Sequence, residues 1–510
     1  HMPYPQRSIL FCEDLPTRPV AGKGLILVTG AGGYIGGRIV PELIARGYRV
    51  RVLVRSHGES YGLRWPGAEI VEGDALSIED LKRAMDQVNT AYYLMHSLLL
   101  GPKKFGNLDL TVAKNFRLAA GEKGVERIIY LGGLGDKNDF LSAHLKSRLE
   151  VARELMKGPV AVTVIRAAVI IGSGSASFEI IKNLVDRIPV ICLPAYAKTL
   201  CQPIGIRDVI KYLVGCLEHE NTRGREFDIG GNEILSYENM MKVVADILGK
   251  RRWFTRLPLP LNTFSFLASF ITPVPAAITR SLLEGLGNEV VCRNEEIQAL
   301  IPFETVPFRE AVKRAMKIEE EDTMQSRWSC AYPPNGNLVP RLHELPRVPH
   351  YISRHWIDSP KLDSSLFYAF CRIGGKEGWF HNNWMWYLRG EIDRLFLGVG
   401  MSRGRRSQSE LWENDVIDFF RVEKIEPYRR LLLRAEMKLP GQAWLEFTVK
   451  AENPHLNRLI VTAYFEPRGL WGDIYWYFFL PFHYLIFTRL IQAIERQGRS
   501  REREYLMPRM

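Results

Sequence analysis

The chain has 510 residues, 46% hydrophobic and 25% charged, with a formal charge of +11. That balance reads as a soluble globular protein rather than a disordered one, and the length predicts two or three domains rather than one core. The charge leaves three readings: solvated basic loops with attraction for a phosphorylated cofactor, an anionic membrane surface, and nucleic acid, which no motif supports.

Arg403, Arg405 and Arg406, and the tail residues Arg496, Arg499, Arg501 and Arg503, form local basic clusters and are read as solvated loops. The cysteines at 12, 192, 201, 216, 292, 330 and 371 never form a Cys-x-x-Cys pair. This argues for a reducing cytoplasm and against disulfides or a structural metal. His1-Met2 reads as an expression remnant with no signal-peptide pattern behind it.

In chain order, residues 1–22 read as a tail. Leu25 to Val28 is an apolar run suited to a buried strand, and Arg38 to Ala45 has helical apolar spacing. Between them lie Thr29 and Gly30, Gly33 and Gly36, spaced Gly-x-x-Gly-x-x-Gly. Strand, glycine turn and helix together present backbone N–H groups to a pyrophosphate. With Thr29 in front, this form resembles the extended and atypical short-chain dehydrogenase/reductases, including the NmrA-like and nucleotide-sugar-epimerase-like branches. The resemblance covers roughly residues 23 to 320 and implies an α/β Rossmann fold, a doubly wound parallel sheet.

The second strand, Tyr48 to Val54, ends at Arg55 with no acid before Glu59. Arginine at that end suits the 2′-phosphate of NADP, whereas an acid would suit the ribose of NAD. NADP is therefore expected over NAD. Gly73-Asp74-Ala75-Leu76 resembles the family turn whose aspartate meets adenine, with Ser77 and Asp80 opening a helix in capping-box spacing. A fourth strand, Ala91 to Ser97, carries Met95 and His96 at its end. The resemblance implies cofactor contacts at Gly30, Gly33, Tyr34, Ile35, Gly36, Arg55, Asp74, Ala75, Met95, Arg148 and Ala168.

Here the chain departs from the family. Catalytic members carry a Ser or Thr after the fifth strand and then Tyr-x-x-x-Lys on a helix. This chain has Gly132-Gly133 after Arg127 to Leu131, and His144 and Arg148 in the tyrosine and lysine places. Three readings of His144 stand open: general acid, binding residue and structural filler. Arg148 acts as a fixed charge or as a ribose or phosphate ligand. Arg166 to Gly172 resembles the Arg-Pro segment that covers the nicotinamide, with Ala167 for the proline and Ala168 beside it. Asp208 is placed to cap the helix after Gly205.

The acidic run Glu319 to Asp322 marks the expected end of the first domain (23–322), so a chain cut there is expected to keep its cofactor. Residues 323–498 change composition. Leu431 to Leu439 alternates, with Arg434, Glu436 and Lys438 on one face. Ala443 to Lys450 answers it across Pro440-Gly441, and Arg458 to Phe465 alternates more weakly. Gly472 to Gln497 reads as one aromatic-rich helix interrupted by Pro481, closing a hydrophobic cavity or touching a membrane interface. Strands followed by a long helix suggest an α+β helix-grip domain similar to START-like ligand binders. Leu388 to Leu395 and Lys438 to Phe447 match a domain of no known chemistry on epimerase-like relatives. Residues 499–510 are a basic tail.

Four functions are carried in order. First comes an NADP(H) oxidoreductase of a hydrophobic small molecule held between the two domains. A non-catalytic NADP(H)-sensing regulator, a nucleotide-sugar epimerase and a lipid-binding module with a vestigial cofactor fold follow. No nucleic-acid partner and no metal are expected. The expected place is the cytoplasm, with peripheral membrane contact as the alternative.

Overall fold

The computed structural model describes residues 10–95, 105–135, 141–193, 198–257, 260–320, 324–330, 341–380, 383–395, 399–400 and 403–498. The chain divides into two compact units, Pro3–Asn335 and Gly336–Met510. Strand–helix alternation builds the first unit. Its elements are β1 (Leu25–Thr29), α1 (Gly36–Ala45), β2 (Arg49–Val54), α2 (Gly58–Arg64), β3 (Ala68–Glu72), α3 (Ile78–Ala84) and β4 (Val88–Tyr93). Then come α4 (Phe105–Glu122), β5 (Arg127–Gly133), α5 (Ala143–Met156), β6 (Ala161–Ala167), α6 (Ala176–Arg187), α7 (Ile206–Glu218) and β7 (Glu226–Ile229).

The strands lie side by side as β7-β6-β5-β4-β1-β2-β3, all parallel. In β1, Ile26 and Val28 face α1 and α7, while Leu25 and Leu27 face α3, α4 and α5. Alternate residues thus feed two apolar cores, as a doubly wound sheet requires. The order reverses between β1 and β4, so the crevice beyond their carboxyl ends is where ligands bind in such sheets. Smaller elements of this unit, among them the helices Tyr237–Ile247, Leu261–Ile271 and Ala276–Glu284, share a third core with α6.

Two local expectations need correction. Asp208 lies in the first turn of α7 but does not cap it; its Oδ2 accepts the Val306 N–H at 2.8 Å. Burial raises its carboxyl to about 6. The first unit also runs past the acidic run. Ser326 Oγ donates to the Tyr34 carbonyl (2.7 Å), and the Trp328 N–H bonds the Gly174 carbonyl (2.8 Å). Arg327 forms a buried bidentate pair with Glu179, at 2.7 and 2.9 Å, whose Oε2 also accepts from Trp328 Nε1 at 2.6 Å. Residues 324–330 therefore belong to this unit, not to a second domain starting at 323.

The second unit consists of β8 (Tyr351–Ser359), α8 (Asp363–Cys371), α9 (Asn383–Leu395), β9 (Val416–Ile417), β10 (Phe420–Glu426), β11 (Arg430–Ala435), β12 (Gly441–Asn453), β13 (Leu456–Pro467) and α10 (Gly469–Gln497). An antiparallel sheet runs β8-β13-β12-β11-β10-β9. Leu431, Leu433, Leu445, Phe447, Leu459 and Val461 form one face and pack with Phe487, Leu490, Ile491 and Ile494 of α10.

The basic stretch 403–406 is not a solvated loop. Arg403 and Arg421 converge on Glu436 at 3.0 and 3.1 Å. Burial pushes that carboxyl up, but Arg421, Arg403 and Arg434 pull it down to about 2. Arg406 pairs with Asp415 at 3.1 Å, and Arg405 donates to the Cys371 and Ile373 carbonyls at 2.7 and 2.8 Å. Arg434, on the charged face of β11, is buried with them. Nor does Pro481 interrupt α10, which is continuous over 29 residues and keeps most of its outer face exposed.

Candidate cofactor-binding and active site

The glycine turn sits at the point of strand reversal. Gly30 has φ +72°, and a Cβ there would lie 2.4 Å from the Leu94 carbonyl oxygen. Only glycine lets β1 turn this tightly under the end of β4. That contact also places the Met95 backbone beside the turn, 3.0 Å from the same position. A Cβ on Gly36 would lie 2.2 Å from the Gly30 carbonyl oxygen, so α1 starts directly on the turn. The Gly33 N–H bonds the Gly30 carbonyl at 3.0 Å. The N–H groups of Tyr34, Ile35 and Gly36 have no backbone acceptor among the described residues. Unpaired donors at a helix N-terminus form an anion cradle, and the turn fits a pyrophosphate.

Tyr34 contributes backbone only. Its ring turns inward, with the Arg38 guanidinium 4.9 Å above it, and a Cβ on Gly172 would sit 2.3 Å from its hydroxyl. Burial pushes that phenol up to about 12. The hydroxyl, Arg38 Nε and Ser173 Oγ are buried with no hydrogen-bond partner among the described residues. Ala75, expected among the cofactor contacts, buries its methyl in the core and offers only its backbone.

Arg55 follows β2, and Asp74 follows β3. The structure joins them: Arg55 Nη2 meets Asp74 Oδ2 at 2.7 Å. Asp74 Oδ1 accepts from the Leu76 N–H (2.9 Å), and the Asp74 N–H donates to Asp80 Oδ2 (2.9 Å). Ser77 caps α3 through the Asp80 N–H, while the Asp80 carboxylate serves Asp74 rather than closing a capping box. The two expected adenosine ligands are thus one ion pair at the sheet edge.

His144 lies half-buried in the first turn of α5, after the N-cap Ser142, whose N–H donates to Asn288 Oδ1 at 3.2 Å. Arg148, one turn on, bends back to the sheet: its Nη2 donates to the Leu131 carbonyl at 2.6 Å and its guanidinium lies over the Tyr130 ring. Its fork is therefore partly occupied by the end of β5. Ala168 lies just past β6, packed against the third core, and the neighbouring Val169 carbonyl accepts the Ile204 N–H at 3.0 Å. His96 lies outside the described residues. Among those residues, no group of three His, Cys, Asp or Glu could hold a metal.

One partner of the turn escaped sequence reading. Ser326 lies 3.0 Å from where a Cβ of Gly37 would be, and the Cys330 carbonyl 4.0 Å from that of Gly32. Residues 325–330 thus border the glycine turn and the start of α1. The available signal was Trp328 within Ser326-Arg327-Trp328-Ser329-Cys330, a bulky aromatic in a stretch without acids.

Comparison with known proteins matches both units of the chain. A model of the NmrA-like family matches residues 22–286, and a model described as a protein of unknown function (DUF2867) matches 345–490. The divinyl chlorophyllide a 8-vinyl-reductase of Cucumis sativus is 22% identical over 258 residues, covering 47% of this chain and 61% of that protein. The photosystem II assembly factor Ycf39 of Guillardia theta is 24% identical, covering 48% of this chain and 77% of that protein. The chain thus spans only about three fifths of the plant reductases it matches. The triphenylmethane reductase of Citrobacter sp., solved with NADP(H), shares 21% identity at a TM-score of 0.48, covering 57% of this chain and 99% of that one.

Proposed function

The chain belongs to the NmrA-like family, and from that premise we propose that it is an NADP(H)-dependent oxidoreductase of a hydrophobic small molecule. The observation that carries the cofactor is the glycine cradle at the strand reversal, with Arg55 rather than an acid at the end of β2. The N–H groups of Tyr34, Ile35 and Gly36 would hold the pyrophosphate, Arg55 the 2′-phosphate and Asp74 the adenine. Met95, Ala75 and Ala168 would supply backbone and apolar contact. When bound, NADPH supplies a hydride. The chain's own tasks are to orient the acceptor, exclude water and place a proton, for which His144 on α5 is the candidate donor. Reductases among the relatives support the reaction class. The second unit, a strand, two helices, five strands and a long helix, is read as a START-like helix-grip module.

A second reading, an NADP(H)-sensing regulator without turnover, is favoured by one observation: Arg148 is bonded to Leu131 rather than left open. Consumption of NADPH with apolar carbonyl and enoyl compounds separates the two. Under the first reading, His144→Ala lowers turnover by roughly 10²–10⁴-fold with cofactor affinity unchanged. No turnover by the native chain with any acceptor, alongside tight NADPH binding, favours the regulator.

A further inference from the structure

The second unit carries an apolar surface that the cofactor chemistry does not use. Between Asp473 and Arg489, α10 has no charged residue. Its inner face buries Trp476, Phe487, Leu490, Ile491 and Ile494. Its outer face presents Trp471, Ile474, Tyr477, Phe478, Phe482 and Leu485 at helical spacing, with Trp471 77% and Phe478 65% exposed. Helix α9 repeats the arrangement, burying Trp386 and Gly390 while exposing Trp384, Leu388, Ile392 and Leu395.

Both helices close on one turn. Arg389 of α9 donates to the Lys438 carbonyl at 3.0 Å, and Asp393 accepts the Lys438 N–H at 2.7 Å. A Cβ on Gly472 of α10 would lie 2.5 Å from the Pro440 carbonyl oxygen. The two helices therefore meet the same turn of the sheet. Lys438 and Arg468 are exposed about it, and Arg489 is exposed about five turns farther along α10. Asp473 is engaged by the Tyr351 hydroxyl at 2.8 Å, which leaves Glu391 as the exposed acid on α9 among the described residues.

We propose that this face is a membrane-docking surface that rests in the headgroup layer of an anionic bilayer. A helix that is apolar all round needs a second apolar surrounding beyond its own sheet. Tryptophan and tyrosine with cations toward both ends of the helix fit an interface that is apolar on one side and negative on the other. The 29 residues of α10 would suffice to cross a bilayer. Crossing, however, would tear Trp476, Phe487, Leu490 and Ile494 out of the core, so the helix lies along the surface.

Flotation of the full chain with vesicles tests this. Phosphatidylcholine vesicles containing phosphatidylglycerol are expected to carry the protein, pure phosphatidylcholine vesicles less, and high salt is expected to weaken the first. Trp471→Ser and Phe478→Ser should each reduce partitioning roughly tenfold. Lys438→Glu with Arg468→Glu should weaken binding to the anionic vesicles alone. These residues are exposed, so an unchanged melting temperature establishes folding. Absence from the floating fraction, or flotation indifferent to Trp471→Ser and Phe478→Ser, overturns the proposal. A dimer in solution that the same two changes dissociate overturns it in favour of a second copy of the chain.

Discussion

Sequence singles out Arg55 and Asp74 one at a time, each by its own strand end, and only the sheet shows that they pair. A 2′-phosphate at this place would meet an arginine already held by a carboxylate, so its binding would exchange or share that bond. Arg55→Ala should weaken NADPH by about ten- to a hundredfold while leaving NADH unchanged, as read by calorimetry. Equal losses for both cofactors would remove Arg55 from the phosphate site. Sequence misjudged Arg403, Arg405 and Arg406 for the converse reason. Their carboxylate and carbonyl partners lie up to 34 residues away, and a run of arginines read locally looks solvated. His483 hides a similar dependence. It is half-buried in α10 beside Trp476 and Phe487, and desolvation, with the nearby His355, depresses its imidazole to about 4. The unfolded chain takes up that proton near 6.5, so this contribution is complete above 6.5 and is lost as pH falls toward 4. Asp418, raised to about 6 by burial, works in the opposite direction over nearly the same window. The raw pH curve is therefore ambiguous, and the variant isolates the imidazole. Relative to His483→Phe, the native chain should lose up to about 3 kcal/mol between pH 6.5 and 4 in denaturant titrations. A difference constant with pH would count against the neutral, desolvated imidazole.

At the scale of elements, the strands, the glycine turn and the Ser77 cap were readable because each depends on period-two apolar runs or on contacts within a few residues. The segment 324–330 was not. Its anchor, Glu179, is 148 residues upstream on α6, and an acidic run just before it resembled a boundary. Arg327 and Glu179 are both nearly fully buried, so removing one leaves the other as an unpaired buried charge. Arg327→Ala should cost about 3–5 kcal/mol, seen as a lower melting temperature of the first unit. Because the same segment borders the glycine turn and α1 at Gly32 and Gly37, a chain ending at Asp322 should bind NADPH poorly. One ending at Asn335 should bind it fully. Equal affinity in the two would show that the segment only covers the turn. This reverses the expectation drawn from the acidic run.

For the whole molecule, the sequence predicted two architectures in the right order, since a parallel α/β unit and an antiparallel unit write different periodicities. What it lacked was the boundary, because charge marks exposure rather than the end of a core. Each unit has its own apolar core. One is built on the two faces of the parallel sheet, the other between the antiparallel sheet and α10. Separate cores predict separate cooperativity. Scanning calorimetry of the full chain should therefore resolve two transitions rather than one. Only the transition of the first unit should respond to cofactor, because the proposed ligands, from Gly30 to Ala168, all lie within it. NADPH at a hundredfold its dissociation constant should stabilise that unit by about 2.7 kcal/mol. The second transition should stay in place and serve as an internal control. NADH at equal concentration should shift the first transition less, if Arg55 decides the preference. A single transition moved as one by NADPH would mean that the two units unfold together, and truncation after Asn335 would then lower the stability of the part that remains.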